Sequence, residues 1–135
     1  MSTNSDLVQS VLRAKWYEMN REQMIDFFGV CRTVVSLLTR KIDSKIKQLK
    51  VNPSLIIAEA LEAVNEQFDQ VNEVQQESYV RFRSFCEPAQ EASAEAKQQC
   101  QKELSECDRQ AKDFDTTGEA VLKRSNQALR VFNGV

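Results

Sequence analysis

One apolar stripe constrains this chain more than any other feature. Met24, Phe28, Cys31, Val35, Leu38, Ile42, Ile46 and Leu49 recur at steps of four and three residues, the spacing that keeps side chains on one face of an α-helix. Asn20, with Gln23 three residues on, has the form of a capping box at the start of that helix. Asn52-Pro53-Ser54 ends it, because proline cannot donate to the preceding turn. The same residues open a second helix with Pro53 at its first position.

The pattern then repeats. Ile57, Leu61, Val64, Phe68, Val71, Phe82 and Phe85 form the stripe of the second long helix, diluted at Gln75 and Ser78 and ended at Glu87-Pro88. Ala89, Ala96, Cys100, Leu104, Cys107, Ala111, Phe114, Val121, Ala128 and Phe132 continue at similar spacing with mostly small side chains. Small residues permit close helix approach, so this face is expected to pack tightly against a bulkier neighbour. Thr116 and Glu119 have capping-box spacing around Gly118, which predicts a break or kink there.

With only 3 Gly and 2 Pro in 135 residues, the chain lacks the punctuation that a many-turned sheet needs. The fold class is therefore all-α: one domain over 1–135, an antiparallel bundle of three long heptad-patterned helices with shorter N- and C-terminal helical segments. The expected helices cover about 6–19, 21–50, 53–86, 89–115 and 117–132, with residues 1–5 disordered.

Short connections make the three long helices antiparallel neighbours. Counting back along the middle helix then leaves Leu7, Val8, Val11, Leu12 and Trp16 beyond one end of the bundle. Val121, Leu122, Leu129, Val131 and Phe132 lie beyond the other. Exposed apolar area costs about 25 cal/mol per Å², so each end must fold back, at Asn20 or Gly118, or meet another protein chain. These residues, Val131 excepted, are the expected partner-binding set.

Charge and chemistry narrow the function. Residues 1–50 carry 9 basic and 5 acidic side chains, net +4, and residues 51–86 carry 2 and 6, net −4. The basic run Arg40, Lys41, Lys45, Lys47 and Lys50 is expected to lie beside Glu59, Glu62, Glu66 and Asp69 as mutually neutralised faces, which argues against a nucleic-acid partner. Tyr79, Arg81, Phe82, Arg83 and Phe85 alternate aromatics with arginines, yet Phe82 and Phe85 fit the core stripe.

The chain has no histidine, which removes the commonest general base and metal ligand together. The acidic repeat Glu59 to Glu77 follows helix-surface spacing. Cys31, Cys86, Cys100 and Cys107 contain no CxxC pair and read as reduced core thiols, with an interhelix bridge from Cys31 to Cys100 or Cys107 open in an oxidising compartment. No catalytic residue, cofactor or metal is expected. No basic n-region followed by an apolar stretch occurs at the start, and a cytoplasmic location is expected. The expected function is a non-enzymatic helical interaction module or scaffold subunit, acting on a protein partner or as a homo-oligomer. The alternative is an amphipathic binder of lipid or membrane surfaces.

Overall fold

The computed structural model describes residues 4–87 and 90–134. Four α-helices follow one another: α1 (Asn4–Leu12), α2 (Arg21–Val51), α3 (Leu55–Phe85) and α4 (Ala94–Asn133), with one 3₁₀ turn at Trp16–Glu18 between the first two. No strand occurs among the described residues. The all-α bundle is as the periodicity requires, and no helix among the described residues is long and apolar enough to cross a membrane.

α2 begins where the capping box places it. The Asn20 side chain accepts from Gln23 N–H at 2.9 Å, and Asn20 N–H donates to Gln23 Oε1 at 2.9 Å. Met24, Cys31, Val35, Leu38, Ile42, Ile46 and Leu49 are buried, as the stripe predicts. Phe27 and Val34 are buried too, which widens the apolar face beyond a simple seam. That width matches three neighbours, since α1, α3 and α4 all pack against α2.

α3 returns antiparallel, so Phe28 meets Phe82 edge-to-face at 5.3 Å at the end away from the turn. It starts at Leu55 rather than at Pro53. Ser54 takes the extended N-cap conformation and its carbonyl accepts the first helical bond, which leaves Pro53 outside the helix. Phe85 also departs from its expected core place. It is exposed and lies under the Arg81 guanidinium, 5.0 Å from ring centre to Arg81 Cζ.

The N-terminal segment folds back. A single helix over 6–19 is not formed: α1 ends at Leu12, Lys15 leaves the helical region, and the 3₁₀ turn reverses the chain before Asn20. Arg81 Nη2 donates to Met19 O at 3.1 Å and fastens this corner to α3. Of the five residues expected to be disordered, Asn4 and Ser5 are helical, and the other three lie outside the described residues.

α4 is one helix of 40 residues, with no break at 115–117 and no separate C-terminal segment. Thr116 does not cap; its hydroxyl donates to Lys112 O at 3.0 Å within the helix. Gly118 is buried, and a Cβ there would lie 3.3 Å from Phe68 Cε1, so the glycine answers close helix approach rather than chain reversal. The helix also begins later than expected, at Ala94 with Ser93 Oγ accepting from Ala96 N–H; the expected start, Ala89, lies outside the described residues.

The side chains that meet show the register of α4 along α3. Tyr79 pairs with Asp108, Gln76 with Asp115 and Asn65 with Ser125, about four turns from the register that a tight turn at Pro88 would impose. The C-terminal half of α4 therefore covers the start of α3 instead of overhanging it.

Candidate functional site

The expected partner-binding residues lie inside the chain. Val8, Val11, Val121 and Leu129 are 2, 1, 1 and 8% exposed and belong to the main core. Leu7, Leu12, Trp16, Leu122 and Phe132 are partly buried against that same core. Neither apolar stripe is an overhang: α1 covers α2 and α3 at one end, and the shifted register of α4 covers the other. Val131, the remaining member of the second stripe, is 73% exposed.

The unfilled space is elsewhere. A half-open cleft of about 700 Å³ lies where the middle of α4 faces the α2/α3 hairpin. Phe28 and Val35 from α2, Tyr79 and Val80 from α3, and Ala111 and Phe114 from α4 supply apolar walls. The cleft exists because the two halves of α4 pack differently. Every buried residue of α4, namely Gly118, Val121, Ser125 and Leu129, lies from position 118 onward. From Ala94 to Thr117 no residue is buried, and Ala94–Gln99 are all exposed. Tight packing was expected from the small residues Cys107 and Ala111; opposite the long polar Gln75 and Gln76 they leave room instead.

Side-chain bonds hold this loose half in place. Toward α3, Gln76 Nε2 donates to Asp115 at 2.8 Å, and Arg83 Nη1 donates to Asp108 at 2.9 Å beside the Tyr79 hydroxyl on the same carboxylate. Toward α2, Arg32 Nη1 donates to Gln110 at 2.8 Å, and Arg21 pairs with Glu103. Burial, then the bond to Asp108, pushes the Tyr79 hydroxyl up to about 12, so it remains a donor at neutral pH. Arg81, Arg83 and Tyr79 are thus bonded within the chain and Phe82 is buried, while Phe85 stays exposed.

The opposite-charge faces of the hairpin also differ from expectation. Among the described residues no ion pair joins the basic run of α2 to Glu59, Glu62, Glu66 or Asp69; Asp43 pairs instead with Arg124 of α4, at 3.1 Å. Glu59, Glu62, Glu66 and Asp69 are solvated.

At the mouth of the hairpin, Cys86 is buried with Met24 and Phe82, and Cys107 packs on that cluster. Cys86, rather than Cys31, is therefore the cysteine that faces this part of α4. All four cysteines are free. Burial pushes the Cys31 thiol up to about 12 and Cys107 to about 11, and raises Cys86, which keeps them as neutral thiols rather than nucleophilic thiolates. Among the described residues no group of three or more Cys, Asp or Glu side chains is placed to hold a metal ion.

The cleft is what a one-dimensional reading missed. Its trace in the sequence is the dilution of the α3 stripe at Gln75 and Ser78 opposite the small residues of α4. Those residues meet only through the four-turn register shift. Comparison with protein-family models, with curated proteins and with solved structures finds no match to this chain.

Proposed function

We propose that this chain is a non-enzymatic helical interaction module whose first half of α4, Ala94–Thr117, is the element that engages a protein partner. One observation carries the reading: that segment of 24 residues buries no side chain, whereas the rest of α4 is anchored in the core. Loosely packed, solvent-bonded elements are those that open at low free-energy cost. Lifting the segment uncovers Phe28 and Val35 on the hairpin and the stripe Leu104, Cys107, Ala111 and Phe114 on α4, a pair of surfaces that an amphipathic helix fits by its i, i+3, i+4 and i+7 positions. The terminal stripes, which pack against the core apart from exposed Val131, are not the docking set proposed here.

The test uses a helix already shaped for the hairpin. A fluorescent peptide of residues 94–117 is titrated against the full chain and against the variant Asp108→Ala, whose own segment loses both bonds from Tyr79 and Arg83 while the peptide keeps them. Binding that is saturable and about tenfold tighter to the variant is the expected result, because each exposed or partly exposed bond contributes about 0.5–1 kcal/mol. No binding to either protein refutes a displaceable segment. If the peptide fails while both proteins bind anionic phospholipid vesicles, the membrane-surface reading takes its place.

A further inference from the structure

We infer that the turn end of the α2/α3 hairpin is a contact surface for an anionic lipid bilayer. Val51, Leu55 and Ile56 enter the headgroup layer, and Lys47 and Lys50 beside them meet lipid phosphates. This goes beyond the interaction role and does not depend on displacement of α4.

Val51, Leu55 and Ile56 are 86, 64 and 79% exposed, and none of them belongs to the apolar core. Only Asn52, Pro53 and Ser54 separate Val51 from Leu55, so the three side chains crowd one tip. α4 adds a fourth. The Arg32–Gln110 and Asp43–Arg124 bonds join α2 to α4 at separations of 78 and 81 residues. The two helices therefore run parallel, and exposed Val131 comes level with Val51.

Charge around this end selects the occupant. Within about two turns of the tip, residues 45–61 and 128–134 carry Lys45, Lys47, Lys50 and Arg130 against Glu59, net +3, on a chain whose net charge is −2. The rest of the chain is therefore acidic, and a negative surface orients the molecule tip first. Lys47 and Lys50 are exposed and make no ion pair among the described residues. Each lysine held near anionic lipid strengthens attachment about fivefold.

Other occupants fit less well. Four apolar side chains fall far short of the roughly 20–30 residues a side that a standard protein interface uses. A second copy meeting tip to tip sets like charges against each other. A nucleic acid engages the cations but leaves the aliphatic tip in water. A bilayer takes up both, because its headgroup layer receives apolar side chains beneath a plane of phosphates. Attachment through so small a tip is reversible and salt-sensitive.

The test is co-sedimentation of the full chain with phosphatidylcholine vesicles, with and without about one-third phosphatidylserine. The expected result is saturable binding to the anionic vesicles, about tenfold weaker binding to phosphatidylcholine alone, and release at about 1 M salt. Leu55→Ser combined with Ile56→Ser is expected to weaken binding about tenfold. Lys47→Gln combined with Lys50→Gln is expected to weaken it about twentyfold. All four residues are exposed, so both double variants should melt near the parent temperature. Val80, 70% exposed near the other end of α3, supplies the control: Val80→Ser should bind as the parent does. Absence of binding to anionic vesicles overturns the proposal. So does equal binding to phosphatidylcholine alone, full affinity in either double variant, or loss of binding in Val80→Ser. A dimer mass by light scattering that reverts to monomer in the Leu55→Ser, Ile56→Ser variant assigns the tip to a second copy and overturns it too.

Discussion

The Ser125 hydroxyl donates to Asn65 Oδ1 at 2.6 Å, and both residues are buried between α3 and α4. This single polar pair inside the apolar seam sets the register of the two helices, since sliding α4 by one turn strands both groups. It lies within the tightly packed half of α4, about two turns beyond the start of that half at Gly118.

Removing one member of that pair is therefore expected to cost more than removing both. Ser125→Ala leaves an unpaired buried acceptor and should destabilise the chain by about 1–3 kcal/mol in urea unfolding. Asn65→Leu combined with Ser125→Ala should recover most of that loss. A strictly additive double-mutant cycle contradicts the coupling.

The two helical glycines should behave differently. A Cβ at Gly29 meets only Arg32 Nη2 at 3.9 Å, the end of a flexible side chain. Gly29→Ala should raise stability by about 0.5–1 kcal/mol through backbone entropy. At Gly118 the new Cβ would press on Phe68, itself buried, so Gly118→Ala should gain less and Gly118→Leu should lose more than about 2 kcal/mol. Melting temperatures of the three variants in the order Gly29→Ala, Gly118→Ala, Gly118→Leu are the check.

The N-terminal stripe, packed into the core, should act as core. Val11→Ala, and Trp16→Ala combined with Leu12→Ala, are expected to lower stability by about 2 kcal/mol or more. Mass by light scattering should stay unchanged. A change in mass with the melting temperature preserved restores these residues as an intermolecular contact.

The thiols make a pH prediction. Cys31 has its proton affinity raised by burial from the ordinary value of 9.0 to about 12, and Cys107 is raised to about 11. The folded state thus holds those protons more tightly than the unfolded chain does. Their contribution to stability is complete below about pH 9 and falls as pH rises through 9 to 12. Urea midpoints should decline across that window, and Cys31→Val should flatten the decline. In native labelling at neutral pH, half-exposed Cys100 should react before Cys31 and Cys86, which are buried.

Local signals carried far into the fold. The Asn20–Gln23 box lies within one turn, and the stripe from Met24 to Leu49 needs only the helical period to appear, so α2 was legible nearly residue by residue. Where a signal depended on a partner across the bundle, legibility ended. Thr116 and Glu119 have cap spacing, but helix continuity is cheap there because Gly118 fits beneath Phe68. Phe85 matches the stripe, yet α3 ends at that residue and its ring is left exposed under Arg81.

The sequence by itself determined the helical class, the turn around Asn52–Ser54 and the capped start of α2, because periodicity, proline and caps act within a few residues. Only the tertiary structure decided the fate of the two apolar ends and the existence of the cleft. Both follow from where α4 packs along α3, about four turns from the register of a tight turn at Pro88. That displacement brings Leu129 and Val121 onto the core and leaves Ala111 and Cys107, too small to fill the space, opposite Gln75 and Gln76. A stripe states which face of a helix is apolar; what covers that face depends on side-chain volumes and loop path in three dimensions.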